Sequence, residues 1–216
     1  MNKTEFPIVV DGICFFAPLA VAAVVLLYFF SLAWIGLIFA AAALYVLWFF
    51  RNPDRKIPSE ADLLVSPADG RILKIEEVEG EVGLFPGRFK KVSIFMNIFN
   101  VHVNRAPCAG IIQRISYRAG KFFSANLDKA SVYNERNAVV VRTDDGRDIL
   151  VIQIAGLVAR RIVCWKNEGM RLERGERFGL IRFGSRLEVF TPVDTEILVS
   201  VGDKVQAGAT AIGRLS

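Results

Sequence analysis

The sequence has only one histidine, His102, and only three cysteines, Cys14, Cys108 and Cys164. The cysteines are odd in number, widely separated and without a C-x-x-C pair. This pattern argues against a disulfide framework or a zinc site and fits a reducing compartment. The basic residues are scattered, and no helix-turn-helix, zinc-finger or RNA-binding signature occurs. Nucleic acid is therefore not an expected partner.

Charged residues are also missing from Ile13 to Phe50, although 53% of the whole chain is hydrophobic. A bilayer is crossed by about 20 residues, so this run is too long for one span. It divides into two short helices, "CFFAPLAVAAVVLLYFF" and "IGLIFAAAALYVLWFF", with a turn near Ser31 to Gly36. We predict a membrane-anchoring hairpin over residues 1–50. One-pass, two-pass and re-entrant insertion remain open, including one tilted helix with an interfacial one.

The residues that flank the apolar run indicate which side of the membrane the chain occupies. Lys3 precedes the run, whereas Arg51, Arg55 and Lys56 follow it. By the positive-inside rule both ends are cytoplasmic. The remainder of the chain carries 26 basic and 20 acidic residues, and a basic body held at a cytoplasmic leaflet meets anionic lipid. We predict localisation at the cell membrane with the folded domain on the cytoplasmic side.

Short β-rich runs follow a charged, proline-containing linker at residues 51–62. They alternate with turn residues, and Asp145-Gly146 is a hairpin signal between two of them. The pattern P-x-D-x-x-I-L occurs twice, at Pro67 and at Pro192. We predict a mainly β fold: one pseudo-symmetric β-sandwich or barrel-like domain over residues 63–216, preceded by the N-terminal transmembrane or re-entrant α-helical hairpin.

Three polar residues could form a chemical site in this domain: Asp69 in "SPADG", His102 in "FNVHVNRAP" and Ser185 in "RFGSRL". They supply a carboxylate, a base and a nucleophile. On strand alternation His102 would share a face with Asn100 and Asn104. No G-x-S-x-G elbow is present, so an ordinary serine hydrolase is poorly supported.

The Gly184-Ser185 pair breaks an apolar strand-like run, and a bulge or tight bend is one explanation. A second explanation is chemical. The Ser185 hydroxyl can attack the carbonyl of the preceding residue, where a glycine offers no side chain to obstruct it. His102 would take the hydroxyl proton.

Five segments follow the apolar run in order: "SPADGRI", "FMNIFNVHVNRAP", "FFSANLDKASVYNERN", "IQIAGLVARRI" and "GERFGLIRFGSRLEVFTP". Together they resemble the short, bacterial and archaeal-type branch of phosphatidylserine decarboxylase. The resemblance implies a proenzyme that cleaves itself by serinolysis between Gly184 and Ser185. The products would be a β chain of residues 1–184 and an α chain of residues 185–216, with Ser185 converted into a covalent pyruvoyl group.

The resemblance also implies the reaction and its partners. Phosphatidylserine in the membrane would lose CO2 through a Schiff base on the pyruvoyl group and give phosphatidylethanolamine, without a metal ion. The roles of the family's Asp and His map to Asp69 and His102. The α and β chains would form a heterodimer, and that unit could form a homo-oligomer. Candidates for contact with the lipid phosphate are Arg105, Arg136, Arg160 and Arg161.

Two alternatives remain open from the residues alone. The repeated P-x-D-x-x-I-L pattern makes Asp194 a rival to Asp69 as the partner of His102. A non-catalytic, membrane-anchored barrel-sandwich adaptor or carrier protein is the alternative function. However, Lys204 lies in "VGDKVQAG", which is not the usual setting of a carrier lysine, and an adaptor's long helical hairpin is not visible.

Overall fold

The computed structural model describes residues 7–29, 32–82, 85–125, 133–157 and 161–216. Candidate Arg160 lies outside them. The chain divides into two compact units, Met1–Asp54 and Arg55–Ser216.

The first unit is helical because its sequence is apolar and free of charge over two helix lengths. A 3-10 turn at Val10–Gly12 leads into α1 (Ile13–Tyr28), and α2 (Ala33–Phe49) follows. Gly36 lets the helices approach closely, since a Cβ there would lie 2.8 Å from Leu27 Cγ. Val10–Tyr28, 19 residues long, could cross a membrane by length and composition, and α2 is a shorter apolar helix. The predicted apolar N-terminal helix is confirmed, whereas the number of crossings and their direction remain predictions.

The regular elements of the second unit, within the described residues, are antiparallel strands, which confirms the mainly β prediction. In the described residues they are β1 (Leu63–Val65), β2 (Gly70–Val82), β3 (Phe85–Met96), β4 (Val103–Arg105), β5 (Gly110–Arg118), β6 (Arg136–Arg142), β7 (Asp148–Ala155), β8 (Ile162–Cys164), β9 (Arg171–Leu172), β10 (Arg177–Ile181), β11 (Ser185–Pro192), β12 (Glu196–Ile197), β13 (Lys204–Val205) and β14 (Ala211–Arg214).

The strands form one large sheet and two small ones. The large sheet is a curled half-barrel with the order β13-β2-β3-β11-β7-β6-β5-β9, and the small sheets are β1-β14-β12 and β4-β10-β8. The hairpin predicted at Asp145-Gly146 joins β6 to β7, and Gly146 has the positive φ (87°) that such a turn favours. The two P-x-D-x-x-I-L segments lead into strands of different sheets, β2 in the large sheet and β12 in a small one.

Both faces of the central strands are buried, which explains their continuous apolar sequence. Alternate residues of β6 and β7 enter different clusters. Val139 and Val151 join the main core with Leu187 of β11, whereas Val140 and Ile152 pack on the opposite face. The main core also contains Leu64 and Ile212 of the β1-β14-β12 sheet and Phe178 of β10. Packing against the small sheets therefore fixes the position of β11, the strand that begins with Ser185.

Candidate active site

The Gly184-Ser185 pair lies where the chain leaves one sheet and enters another. β10 belongs to a small sheet, and β11 begins at Ser185 between β3 and β7, with Met96 and Ala155 as its Cα partners. Phe183 and Gly184 have φ values of 54° and 65°. Phe183 is the one non-glycine residue with positive φ in the described part of the chain. Such a conformation costs about 1–3 kcal/mol, so the bond before Ser185 follows a strained, tight bend.

His102 is fully buried and its ring is held from both sides. Nδ1 lies 3.0 Å from the carbonyl oxygen of Asn100. The backbone N–H of Gly184 donates to Nε2 at 3.2 Å. Because the carbonyl can only accept and the amide N–H can only donate, the proton of a neutral ring is on Nδ1. The Nε2 lone pair therefore faces the residue that precedes Ser185.

The predicted strand face of Asn100, His102 and Asn104 is not formed, because β4 begins only at Val103. Asn97 and Asn100 create a turn after β3. The Asn97 side chain accepts from Phe99 N–H at 2.8 Å, and the Asn100 side chain accepts from Asn97 N–H at 2.9 Å. These local bonds compete with strand pairing. His102 consequently lies in the short segment between this turn and β4.

The hydroxyl of Ser185 points at a sulfur atom that ends a buried chain of amides. Ser185 Oγ lies 3.3 Å from Met96 Sδ, which also accepts from Asn104 Nδ2 at 3.9 Å. Gln153 Nε2 donates to Asn104 Oδ1 at 2.8 Å, and Asn137 Nδ2 donates to Gln153 Oε1 at 2.9 Å. A thioether is a weak acceptor, so the serine hydroxyl is held loosely in an otherwise ordered surrounding.

Gly156 lies against the carbonyl group of Gly184. A Cβ atom added to Gly156 would be 2.1 Å from the Gly184 carbonyl oxygen and 3.0 Å from its carbon. This close approach requires glycine at position 156. Sequence reasoning did not identify Gly156, Met96, Gln153 or Asn137 as site residues. Their only signal was their position inside or beside segments that carried the family resemblance.

Asp69 lies in its predicted turn, where two groups hold its carboxylate. Oδ2 accepts from Arg55 Nη2 at 2.8 Å, and Oδ1 accepts from the backbone N–H of Ala207 at 2.8 Å. The rival residue, Asp194, is exposed in the turn after β11, where its backbone carbonyl accepts from Ser216 Oγ. The described contacts thus join His102, Gly184 and Ser185, while the Asp69 carboxylate is bound to Arg55 and Ala207.

The described candidate arginines occupy different environments. Arg105 is 5% exposed and donates to the carbonyl oxygen of Gly175 at 2.8 Å. Arg136 is partly buried on β6, and burial together with the nearby charge of Arg118 lowers its pKa. Arg161 is exposed. Among the described residues, no group of three or more His, Cys, Asp or Glu side chains is placed to hold a metal ion.

Comparison with known proteins gives a consistent result. Residues 42–213 match the family model described as phosphatidylserine decarboxylase. A protein of Syntrophus aciditrophicus named phosphatidylserine decarboxylase proenzyme is 53% identical over 203 residues, which cover 94% of this chain and 95% of the relative. Proteins with the same name from Magnetococcus marinus and Rickettsia felis are 51% and 52% identical, over 86% and 82% of this chain and 86% and 78% of their own lengths.

Proposed function

Because the chain belongs to the phosphatidylserine decarboxylase family, a family of carboxy-lyases, we propose that it is a self-cleaving, pyruvoyl-dependent decarboxylase of phosphatidylserine. Cleavage between Gly184 and Ser185 gives a β chain of residues 1–184 and an α chain of residues 185–216. The product of the mature enzyme is phosphatidylethanolamine. The observation that carries this proposal is the contact of His102 Nε2 with Gly184 N at 3.2 Å, because Gly184 also supplies the carbonyl of the bond that must break.

Self-cleavage uses the serine hydroxyl as nucleophile and His102 as base. Ser185 turns from Met96 toward the Gly184 carbonyl carbon. The Gly184 N–H releases Nε2, and the serine proton passes to the lone pair that this frees. A bond forms between Oγ and that carbon. The Gly184–Ser185 C–N bond breaks, and the Ser185 nitrogen takes the proton, which leaves an ester. The positive φ of Phe183 supports this step, since strain at the bend is relieved when the chain is cut.

The ester is then broken by β-elimination. Loss of the proton on Cα of residue 185 breaks the Cβ–O bond and releases Gly184 as a free carboxylate, so residue 185 becomes dehydroalanine. Addition of one water molecule expels ammonia and completes the pyruvoyl group. Hydrolysis of the peptide bond itself is not required.

The surroundings of Ser185 fit a pyruvoyl group at the start of β11. Residue 185 is fully buried between β3 and β7, and the modification replaces the serine by a group of similar size. The pyruvoyl group supplies a ketone, an electron sink that amino-acid side chains lack. His102 contacts Gly184, the residue that precedes position 185. It is our candidate for the group that delivers a proton to the substrate Cα.

Asp69 is our candidate for the carboxylate of the site. It lines the same cavity as Asn100, the residue whose carbonyl oxygen orients His102. Arg55 and the Ala207 N–H fix the carboxylate in place. We assign it a role in ordering the turn that lines this cavity beside Asn100, because its two carboxylate oxygens contact Arg55 and the Ala207 N–H.

The apolar N-terminal helices support a membrane location, because the acyl chains of phosphatidylserine remain in the bilayer. An anchored enzyme needs only to capture the head group. We propose that the domain faces the cytoplasmic leaflet, as the flanking basic residues indicate. The two products of cleavage stay together as a heterodimer, since β11 of the α chain lies between β3 and β7 of the β chain. Two such units can form a homo-oligomer.

Intact-mass spectrometry under denaturing conditions tests the proposal. The wild type should give two chains, and the smaller should match residues 185–216 with the N-terminal serine replaced by pyruvoyl. Ser185→Ala should remain uncut, whereas the control Ser200→Ala, at an exposed serine, should be cut like the wild type. A single uncut wild-type chain would refute self-cleavage and favour the adaptor alternative.

A further inference from the structure

A cavity of about 430 Å³ opens beside the Asp69 turn. Its lining includes Asp69, Arg71, Phe95, Asn100 and Lys204. One of these residues connects it to the candidate active site, because Asn100 holds His102 through its carbonyl oxygen. Phe95 and Arg71 are Cα partners and share one face of the large sheet. The cavity therefore adjoins the segment that orients His102.

Two cations at this cavity come from adjacent strands. Lys204 of β13 and Arg71 of β2 are Cα partners, and side chains of paired residues lie on the same face of a sheet. Both residues are exposed, and Arg71 donates to the carbonyl oxygen of Gly202 at 2.9 Å. Within the described ranges, the ion pairs include no carboxylate within 4.0 Å of either side chain.

The one carboxylate in the lining does not neutralise these cations. Asp69 is paired with Arg55 at 2.8 Å, and its other oxygen is taken by the backbone of Ala207. Arg71 and Lys204 thus leave a positive charge at the cavity that a ligand can match. Guanidinium and ammonium groups side by side suit the oxygens of a phosphate ester.

The head group of phosphatidylserine offers two anions, a carboxylate and a phosphodiester. Decarboxylation removes the charge of the carboxylate as CO2 leaves. A cation bound there would stabilise the substrate more than the transition state and would slow the reaction. The phosphodiester keeps its charge throughout, so cations on it bind substrate without that penalty. Arg71 and Lys204 would therefore favour catalysis if they bind the phosphodiester rather than the carboxylate.

We propose that Arg71 and Lys204 bind the phosphodiester of the substrate head group in this cavity, with the serine end directed toward Asn100 and His102. This assignment rests on the proposed function and adds the binding site for the substrate. It differs from the arginines chosen from sequence, because Arg105 is buried and bonded to Gly175.

The first test measures binding without catalysis. Uncut Ser185→Ala protein, the state that the structure describes, is titrated with sn-glycero-3-phosphoserine by calorimetry. Adding Arg71→Gln or Lys204→Gln should raise Kd about tenfold each, the usual effect of one lost charge-assisted hydrogen bond. The control Arg114→Gln, at an exposed residue of β5 outside the cavity lining, should leave Kd unchanged. Unchanged binding in both cavity variants would overturn the proposal.

Inorganic phosphate is titrated in parallel to separate a head-group site from a general anion site. Glycerophosphoserine should bind at least about tenfold more tightly, because its serine end makes further contacts. Equal affinity for the two ligands would overturn the assignment to the lipid head group. The conservative changes Arg71→Lys and Lys204→Arg keep the charge and should restore most of the affinity.

The second test uses the mature enzyme and distinguishes this inference from the proposed function. Arg71→Gln and Lys204→Gln should cleave themselves like the wild type, then show a KM about tenfold higher with kcat within about twofold. Failure of the wild type to cleave would refute the proposed function, and the titrations would still decide the phosphodiester site. Normal cleavage and decarboxylation with an unchanged KM would refute this inference alone.

Discussion

The contact between Gly156 and the Gly184 carbonyl gives the sharpest prediction about self-cleavage. In Gly156→Ala, the new Cβ would lie 2.1 Å from a backbone oxygen, whereas real contacts of this kind stay beyond 3.0 Å. One of the two segments must therefore move by about 1 Å. The neighbouring Ala125 Cβ, 3.2 Å from the same added atom, limits movement on its side. The shift falls on the carbonyl that Ser185 has to attack.

The expected effect on rate is large compared with the effect on stability. A misplacement of about 1 Å can cost about 100-fold in a reaction between positioned groups, which corresponds to about 2.7 kcal/mol in the activation barrier. Overpacking of this kind destabilises a fold by about 1–3 kcal/mol. We expect Gly156→Ala to fold and to accumulate as uncut chain long after the wild type has matured.

The assay follows the fraction of cut chain with time after synthesis in a cell-free system, by denaturing gel and intact mass. Thermal unfolding of the purified proteins measures stability separately. Gly213→Ala, in β14, is the matched control. Its added Cβ would lie 3.1 Å from the nearest atom, about 1 Å farther than in Gly156→Ala. Maturation of Gly156→Ala at the wild-type rate would show that the position of the Gly184 carbonyl does not limit cleavage.

Three further predictions follow from other contacts. His102→Gln should slow self-cleavage by about 100-fold or more through loss of the base, as seen by intact mass; a rate like that of the wild type would exclude His102 as base. Gln153→Ala removes one hydrogen-bond partner from each of two buried amides, Asn104 and Asn137, and should lower the unfolding free energy by about 2–5 kcal/mol, measured in urea, whereas a change below about 1 kcal/mol would contradict the amide chain. Burial raises the pKa of the Cys108 thiol from 9.0 to about 12, so stability should fall as pH rises from about 9 toward 12. Cys108→Ala should lack this slope, and the same slope in both proteins would contradict the assignment.

Local patterns in the sequence were sufficient for the main architectural features. A long uncharged apolar run predicts helices, because a helix satisfies the backbone hydrogen bonds of a segment in apolar surroundings. Helices α1 and α2 fall within that run. Alternating and continuous apolar stretches with Asp145-Gly146 between them predict the β6–β7 hairpin. The order of the strands was not predictable, because β11 pairs with β3 and β7 through contacts between residues far apart in the chain.

The motifs identified Gly184, Ser185, His102 and Asp69 as candidates, but only the tertiary structure decided how they meet. The contact of His102 with Gly184 joins residues 82 positions apart, and that of Asp69 with Ala207 joins residues 138 positions apart. Periodicity and turn propensity describe neighbours along the chain, so they carry no information about such distances. The residue types, the apolar N-terminal run and the strand-like runs were determined by the sequence. The direction of the His102 lone pair, the close approach at Gly156 and the pairing of Asp69 with Arg55 depend on how the three sheets pack in the folded chain.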